Sequence, residues 1–341
     1  MTATPTHKTP KRLIYLDVAR GIGVLFMLIG HTVPYDSIPY HIIYSFHMPL
    51  FFLISGFLFT IPNKAKIIQR SKRLLIPYLV FAMIYFAIDG FRLEKLRAIF
   101  WDNSNNLPIE SGLWFLTAIA ITQLTYSGIT KLIRIPIAQF ITAFTISIIA
   151  CIFTNLNGNI LPFSAQAGLA SMLYFATGHQ IKQLGLIDKI KPIAAIATIS
   201  ISATIAFFLP LYNIRAGLHA LIPVNQIVAT LISVSIIVLA KNATNFIKDI
   251  TVHFGRNSLL YLCINHFCIQ IAKQIVKTDI IDNVYINWAL VFILSLILTR
   301  ILVIAINMIP RKHIKPRLSA SPIDEFDKYV IDIKQHGKET S

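Results

Sequence analysis

Ten apolar segments of similar length constrain the fold of this chain more than any other feature. A helix crosses the hydrocarbon core of a bilayer in roughly 20 apolar residues, because each residue adds about 1.5 Å along the axis. The chain is 55% hydrophobic and 13% charged, whereas soluble domains carry about 25% charged residues. We therefore predict an all-α fold, a polytopic membrane helical bundle with about ten transmembrane helices. The segments are residues 13–31, 40–61, 73–90, 112–129, 135–153, 160–179, 192–211, 218–240, 256–276 and 285–309.

The distribution of basic residues predicts the orientation of the bundle. Cytoplasmic loops of membrane proteins carry an excess of Lys and Arg. Most of the 31 basic residues lie before the first segment, in every second connection and in the C-terminal tail. This pattern predicts a cytoplasmic N-terminal tail at 1–12, a membrane domain at 13–310 and a cytoplasmic C-terminal tail at 311–341. Topology thereby accounts for the net charge of +16, so no nucleic-acid partner is expected.

The first segment, YLDVARGIGVLFMLIGH, contains ionisable residues that are costly in lipid. Each charge costs about 2.5–3.5 kcal/mol on insertion scales, so such side chains usually face the bundle interior and serve a function. Arg20 and His31 are eleven positions apart, so both side chains lie on one helix face, about 16 Å apart along the axis. Asp17 lies three residues before Arg20, which predicts a structural ion pair. For His31, a role as an ordinary interfacial residue is equally consistent with the sequence.

Two further histidines lie inside predicted helices. His47, in SFHMPLFF, is expected at the depth of His31, because a short outer loop joins their two helices. His266 follows Asn257 and Ser258 in the segment GRNSLLYLCINH. Ser258 and His266 lie about 80° apart around the helix, so they border one cavity or make structural hydrogen bonds to other helices. The histidines have neither an HExxH motif nor an acidic cluster beside them, so no metal site is expected.

Two other motifs suggest ligand contacts. The predicted inner loop NKAKIIQRSKRLLIPY has five basic residues and no acid, with Arg70 and Arg73 three positions apart. This pattern is typical both of a topology signal that contacts lipid headgroups and of a polyphosphate cofactor site. Trp114, in SGLWFL, begins the fourth predicted helix. An aromatic-belt position and stacking on a sugar ring both fit this tryptophan.

Taken in order, these motifs resemble the acyltransferase-three family of integral membrane acyltransferases. The resemblance rests on Arg20 and His31, SFHMPLFFLISGFLF, RSKRLLIPY, GLWFL and GRNSLLYLCINH, and it covers residues 12–310. It implies a multi-pass enzyme of the cell inner membrane. This enzyme would move an acetyl or similar short acyl group from cytoplasmic acetyl-coenzyme A to a hydroxyl of a cell-surface or lipid-linked glycan. Membrane lipids and glycan-assembly proteins are the implied partners.

The resemblance also implies roles for individual residues. His31 matches the histidine needed for transfer, Arg20 the basic residue paired with it, and Arg70 and Arg73 the arginine pair associated with acyl-coenzyme A. A neutral imidazole can accept a hydroxyl proton near neutral pH, so His31 is the expected base. The remaining candidates are His47 beside His31, Ser258 on the cofactor side, and Trp114, His266 and Asn257 on the acceptor side.

One other function is consistent with the same residues. Ten helices with intramembrane Asp17, Arg20 and His31 also suit a proton-coupled transporter of small, amino-acid-like solutes. The sequence shows no internal repeat of the kind common in such transporters. Turnover of acetyl-coenzyme A by the purified protein separates the two functions.

Overall fold

The computed structural model describes residues 12–309, apart from residues 36, 102, 104–105, 111 and 277–282. The described part is all-helical, which confirms the predicted class, and it contains no β-strand. Except for Arg12, the predicted tails at 1–12 and 311–341 lie outside the described residues. Within the described ranges, six helices are long and apolar enough to cross a membrane.

The α-helices of the described chain are numbered in order. They are α1 (Ile14–Gly30), α2 (Ile38–Phe57), α3 (Lys64–Ile88), α4 (Leu93–Phe100), α5 (Trp114–Leu132), α6 (Pro136–Asn157), α7 (Ala165–Ala170), α8 (Met172–Gln183), α9 (Leu186–Lys189), α10 (Pro192–Phe208), α11 (Val224–Lys241), α12 (Asn245–Arg256), α13 (Ser258–Val276) and α14 (Val284–Met308). Short 3₁₀ turns at Pro108–Glu110 and Pro162–Ser164 precede α5 and α7. The six helices that meet the spanning criterion are α2, α3, α6, α11, α13 and α14.

The segment predicted at 160–179 is not one continuous helix. It is divided at Ser171 into α7 and α8. Ser171 has φ −88° and ψ 1°, in the sparsely populated bridge region. Its hydroxyl donates to the carbonyl oxygen of Ala167 at 2.8 Å. A serine bonded to the preceding turn bends a helix, which explains why the apolar run does not form a single straight span.

Two helices begin at other residues than hydropathy predicts. The helix predicted at 73–90 begins at Lys64, so the basic stretch before it is helical and not a loop. The side-chain oxygen of Asn63 accepts a backbone N–H of the first turn at 2.9 Å and so caps this helix. The helix predicted at 218–240 begins later, at Val224, after a structured loop.

The amphipathic helix α12 lies where the sequence predicted a connecting loop. Its 12 residues extend about 18 Å, too short to cross a membrane. It packs along the first half of α1, and glycine makes this close approach possible. A Cβ atom at Gly21 would overlap the carbonyl oxygen of Thr251, and one at Gly255 would overlap the carbonyl oxygen of Asp17. Any larger residue at either glycine would separate the two helices.

Helix α2 lies inside the bundle, where it contacts α1, α8, α10 and α11. In its most apolar stretch 67% of the residues are buried, against 22% for α3 and for α14. The exposed face of α14 is largely apolar, with Arg300 as a charged exception. Its apolar residues recur at helical spacing and are Ile286, Leu290, Ile293, Ile297, Ile301 and Ile304. Such a surface is stable against lipid and not against water, so the chain is a membrane protein.

Contacts between helix termini distinguish the two ends of the bundle. At one end, the Asn307 amide in the last turn of α14 donates to Oδ1 of Asn257, next to α13, at 2.9 Å. At the other end, the Trp288 indole N–H near the start of α14 donates to the hydroxyl oxygen of Thr32, after α1, at 3.2 Å. We call the end with Asn257 and Asn307 the basic end, because the connections rich in Lys and Arg lie there. The end with Thr32 and Trp288 is the loop end.

Candidate active site

A small cavity near the loop end brings together side chains that are far apart in the sequence. Its volume is about 30 Å³, which is enough for one or two water molecules. Four predicted site residues line it, namely His31, His47, Trp114 and His266. No Asp or Glu occurs among the described residues that line this cavity.

The position of His31 is fixed by one hydrogen bond that also selects its tautomer. Its Nδ1 lies 3.1 Å from Oδ1 of Asn265, on α13. The Asn265 amide group donates to the carbonyl oxygens of Tyr261 and Leu262, at 3.0 and 2.9 Å, which leaves its oxygen facing the histidine. An amide oxygen only accepts hydrogen bonds, so Nδ1 of His31 carries the proton. The lone pair of His31 is therefore on Nε2, as a general base requires.

The other two histidines of the cavity surround His31. His47 donates through Nδ1 to the carbonyl oxygen of Ile43 at 2.8 Å, and its ring lies 6.2 Å from that of His31. The His266 ring lies 4.3 Å from the His31 ring, and its buried Nε2 has no hydrogen-bond partner among the described atoms. A buried nitrogen without a partner is costly in a bilayer-embedded site. The Nε2 of His266 is therefore suited to a hydrogen bond from a ligand or a water molecule.

Trp114 belongs to the interior of the protein and not to its lipid surface. It is 4% exposed and lines the cavity at the start of α5. Gly112, two residues earlier, borders the same space, since a Cβ placed on it would lie 4.0 Å from Nε2 of His266. The indole thus forms part of the cavity wall close to His266.

The pair of Asp17 and Arg20 lies in a different place, toward the basic end of α1. Asp17 is completely buried and has three arginines near it. Its carboxylate lies 2.5 Å from Arg12, 3.8 Å from Arg20 and 3.9 Å from Arg256. Arg12, which the sequence did not single out, is thus the nearest partner. Three cations around one carboxylate leave an excess of positive charge. Within this cluster, Arg20 lies about 16 Å from His31 along α1.

The remaining predicted residues lie outside the cavity. Arg70 donates to the carbonyl and hydroxyl oxygens of Thr60, at 2.9 and 2.5 Å, and Arg73 is half-buried almost one turn further along α3. Asn257 and Ser258 lie at the basic end, where α12 gives way to α13. Eight residues separate Ser258 from His266, which is about 12 Å along the helix. The structure therefore does not bring Asn257 and Ser258 together with the cavity.

Three residues of the site were missed in the sequence. Asn265 contacts His31 directly, and Tyr44 and Arg215 line the cavity. A buried amide next to His266 in an apolar segment is a signal that would have identified Asn265. Arg215 gave no such signal, because a single arginine in a loop is typical of any exposed connection. Among the described residues, no cluster of three or more ligating side chains could hold a metal ion.

The helical bundle and its buried cavity define an integral membrane protein with a polar site among its helices. Residues 13–308 match the family model described as an acyltransferase domain. The chain belongs to the acyltransferase-three family, which confirms the resemblance seen in its motifs, and it is a membrane acyltransferase. No curated protein and no solved structure matches the chain.

Proposed function

We propose that the protein transfers an acetyl or similarly short acyl group from cytoplasmic acyl-coenzyme A to a hydroxyl of a cell-surface or lipid-linked glycan. The observation that carries this proposal is the hydrogen bond between His31 and Asn265 beside the cavity. It supplies a correctly oriented base inside a bundle that belongs to an acyltransferase family. The small volume of the cavity is consistent with a short acyl group.

The proposed topology has ten crossings in the inner membrane. Beside the six helices that meet the spanning criterion, the crossings would be α1, α5, α10 and the broken pair α7 and α8. Their order places successive helix termini at alternate ends of the bundle. By the positive-inside rule the basic end, and with it both chain termini, would be cytoplasmic. The loop end would then face the compartment in which the glycan is exposed.

The basic end is the proposed entry for the acyl donor. Coenzyme A carries its phosphates at one end and the thioester at the end of a long flexible arm. The excess positive charge of Arg12, Arg20 and Arg256 around Asp17 favours those phosphates. Arg70 and Arg73, on α3, would add to the positive potential at the basic end. The arm would then extend along α1 toward His31.

The proposed reaction requires one base and no stored oxidant or metal. Nε2 of His31 takes the proton of the acceptor hydroxyl while the hydroxyl oxygen attacks the thioester carbonyl carbon. The new C–O bond forms, the C–S bond breaks, and the proton on Nε2 goes to the departing thiolate. His47 and His266 are close enough to orient the acceptor hydroxyl. Trp114 would present its ring to the sugar.

The test compares His31→Ala with His41→Ala, since His41 is a half-buried histidine of α2 that does not line the cavity. We expect His31→Ala to lower kcat by about 10²–10⁴-fold, the usual effect of losing a general base, with binding of acetyl-coenzyme A retained. His41→Ala should retain wild-type activity. Acetyl transfer or hydrolysis is measured per folded molecule in detergent.

Two outcomes would contradict the proposal. Activity of His31→Ala within a few-fold of wild type would exclude His31 as the base. If the folded wild-type protein turned over no acetyl-coenzyme A but moved a small solute driven by a proton gradient, the transporter function would replace the proposed one.

A further inference from the structure

The loop at 209–223, between α10 and α11, forms a compact turn against the bundle. Asn213 and Leu218 exchange backbone hydrogen bonds at 3.1 and 2.9 Å. Gly217, at φ +73°, supplies the left-handed backbone that the turn needs. Tyr212, which is 2% exposed, joins its hydroxyl to that of Tyr174 on α8 at 2.6 Å. A loop held in this way is not a mobile surface connection.

Two asparagines at and just after the end of α6 hydrogen-bond to the backbone of this turn. Asn155 donates to the carbonyl oxygen of His219 at 2.8 Å, and Asn159 donates to the carbonyl oxygen of Arg215 at 2.9 Å. The backbone of Arg215 is therefore held by Asn159, which lies two residues after the end of α6. Burial lowers the pKa of His219 to about 4, so this imidazole adds no charge beside Arg215 at neutral pH.

The Arg215 side chain lines the same cavity as His31 and His266. Its guanidinium is positively charged at every physiological pH. In the proposed reaction, negative charge develops on the carbonyl oxygen as the acceptor oxygen attacks. A preorganised cation in a water-poor site stabilises such charge more than it stabilises the neutral substrate.

We propose that Arg215 is a further catalytic residue, which stabilises the oxyanion formed at the acyl carbonyl. This inference rests on the proposed function. As the C–O bond forms, the C=O π electrons move to the carbonyl oxygen beside Arg215, and the hydroxyl proton moves to Nε2 of His31. When the oxyanion reforms the carbonyl, the C–S bond breaks and the thiolate takes that proton. Arg215 itself gains and loses no proton in either step.

A role in binding an anionic acceptor is the main competing assignment for Arg215. The position of Arg215 at the same cavity as the base His31 favours the catalytic role. The two roles make different kinetic predictions. An oxyanion-stabilising arginine lowers kcat for every acceptor, including water. An acceptor-binding arginine raises the KM for the glycan and leaves hydrolysis unchanged.

The experiment measures acetyl transfer to the glycan and acetyl-coenzyme A hydrolysis for Arg215→Gln, Arg215→Lys and Arg215→Ala. We expect Arg215→Gln to lose about 10²–10³-fold in kcat for both reactions, the effect of removing one oxyanion donor. Arg215→Lys should lose less, since it keeps the charge but not the fork of the guanidinium. Added guanidinium ion should raise kcat of Arg215→Ala at least tenfold over its value without guanidinium. Arg97→Gln, at an exposed arginine of α4, is the matched control and should behave as wild type.

Asn159→Asp tests whether the hydrogen bond from Asn159 to the Arg215 carbonyl oxygen positions Arg215. The aspartate has nearly the same shape, but it cannot donate to the Arg215 carbonyl oxygen. We expect an intermediate loss of kcat, with the melting temperature in detergent within a few degrees of wild type and without rescue by guanidinium. Full activity of Asn159→Asp would contradict the positioning argument.

Failure of this inference is distinguishable from failure of the proposed function. If wild type transfers acetyl, His31→Ala is inactive and Arg215→Gln has unchanged kcat, only the role of Arg215 is wrong. An effect confined to the KM for the glycan would assign Arg215 to acceptor binding and overturn its catalytic role. A wild-type protein that does not turn over acetyl-coenzyme A would overturn both.

Discussion

Replacing Asn265 by Ala tests whether the orientation of His31 matters as much as its presence. The hydrogen bond from Nδ1 of His31 to Oδ1 of Asn265, at 3.1 Å, joins two neutral groups. Such a bond contributes about 0.5–1.5 kcal/mol net. Without it, the imidazole is free to adopt the tautomer with the proton on Nε2, which cannot act as the base. At about 1.4 kcal/mol for each factor of ten, the upper value corresponds to roughly a tenfold decrease.

We therefore expect Asn265→Ala to lower kcat by about two- to tenfold, with an unchanged KM for acetyl-coenzyme A. This decrease is much smaller than the loss expected for His31→Ala. Ser233→Ala is the control, because Ser233 is also completely buried and its hydroxyl bonds only to its own helix, at Ala229. Its kcat should match that of wild type.

The tautomer itself can be observed. The ¹⁵N shifts of labelled histidine distinguish a protonated Nδ1 from a protonated Nε2, and a sample lacking His31 identifies its signals. We expect wild type to show His31 with the proton on Nδ1 and Asn265→Ala to show a mixture. A wild-type His31 protonated on Nε2, or an Asn265→Ala protein with full kcat, would refute the reasoning.

Two further predictions concern the basic end and helix packing. Gly255→Ala forces a Cβ into the Asp17 carbonyl oxygen, whereas a Cβ at Gly128 meets nothing within 4 Å. We expect Gly255→Ala to lower the melting temperature in detergent, and Gly128→Ala to leave it unchanged or raise it; equal melting temperatures would contradict the described α1–α12 contact. The double variant Arg70→Gln with Arg73→Gln should raise the KM for acetyl-coenzyme A with little change in kcat, and the difference from wild type should shrink at high salt. An unchanged KM in the folded double variant would leave the cluster as a topology signal.

The helices themselves were largely predictable, because a long apolar segment has few alternatives in lipid. The failures have identifiable causes. Helix α12 is not rich in apolar residues, and only its helical periodicity identifies it in the sequence. A search for long apolar segments therefore does not detect it. The division at Ser171 depends on a side-chain bond to Ala167, and many serines in membrane helices cause no such break.

The site was predictable to the extent that unusual residues lie inside apolar segments. His31, His47 and His266 attract attention for this reason, and the structure places all three at one cavity. Contacts across the bundle were not predictable from one sequence. Arg12 precedes the first helix and Arg215 lies in a loop, where a charged residue is ordinary. Only the fold shows that these arginines lie next to Asp17 and the cavity, respectively.

The interlocked contact of α1 with α12 has a mechanical consequence. Each helix presents a glycine to a carbonyl oxygen of the other, so a shift of one helix by a single residue would bring a side chain against a backbone. Sliding of α1 past α12 is therefore opposed by atomic overlap along a helix that extends about 21 Å from Asp17 to His31. A rocking motion that moved α1 without α12 would have to break this contact. In the proposed reaction, the acyl group would then reach His31 by diffusion of its carrier arm along α1, without a rearrangement of the α1–α12 pair.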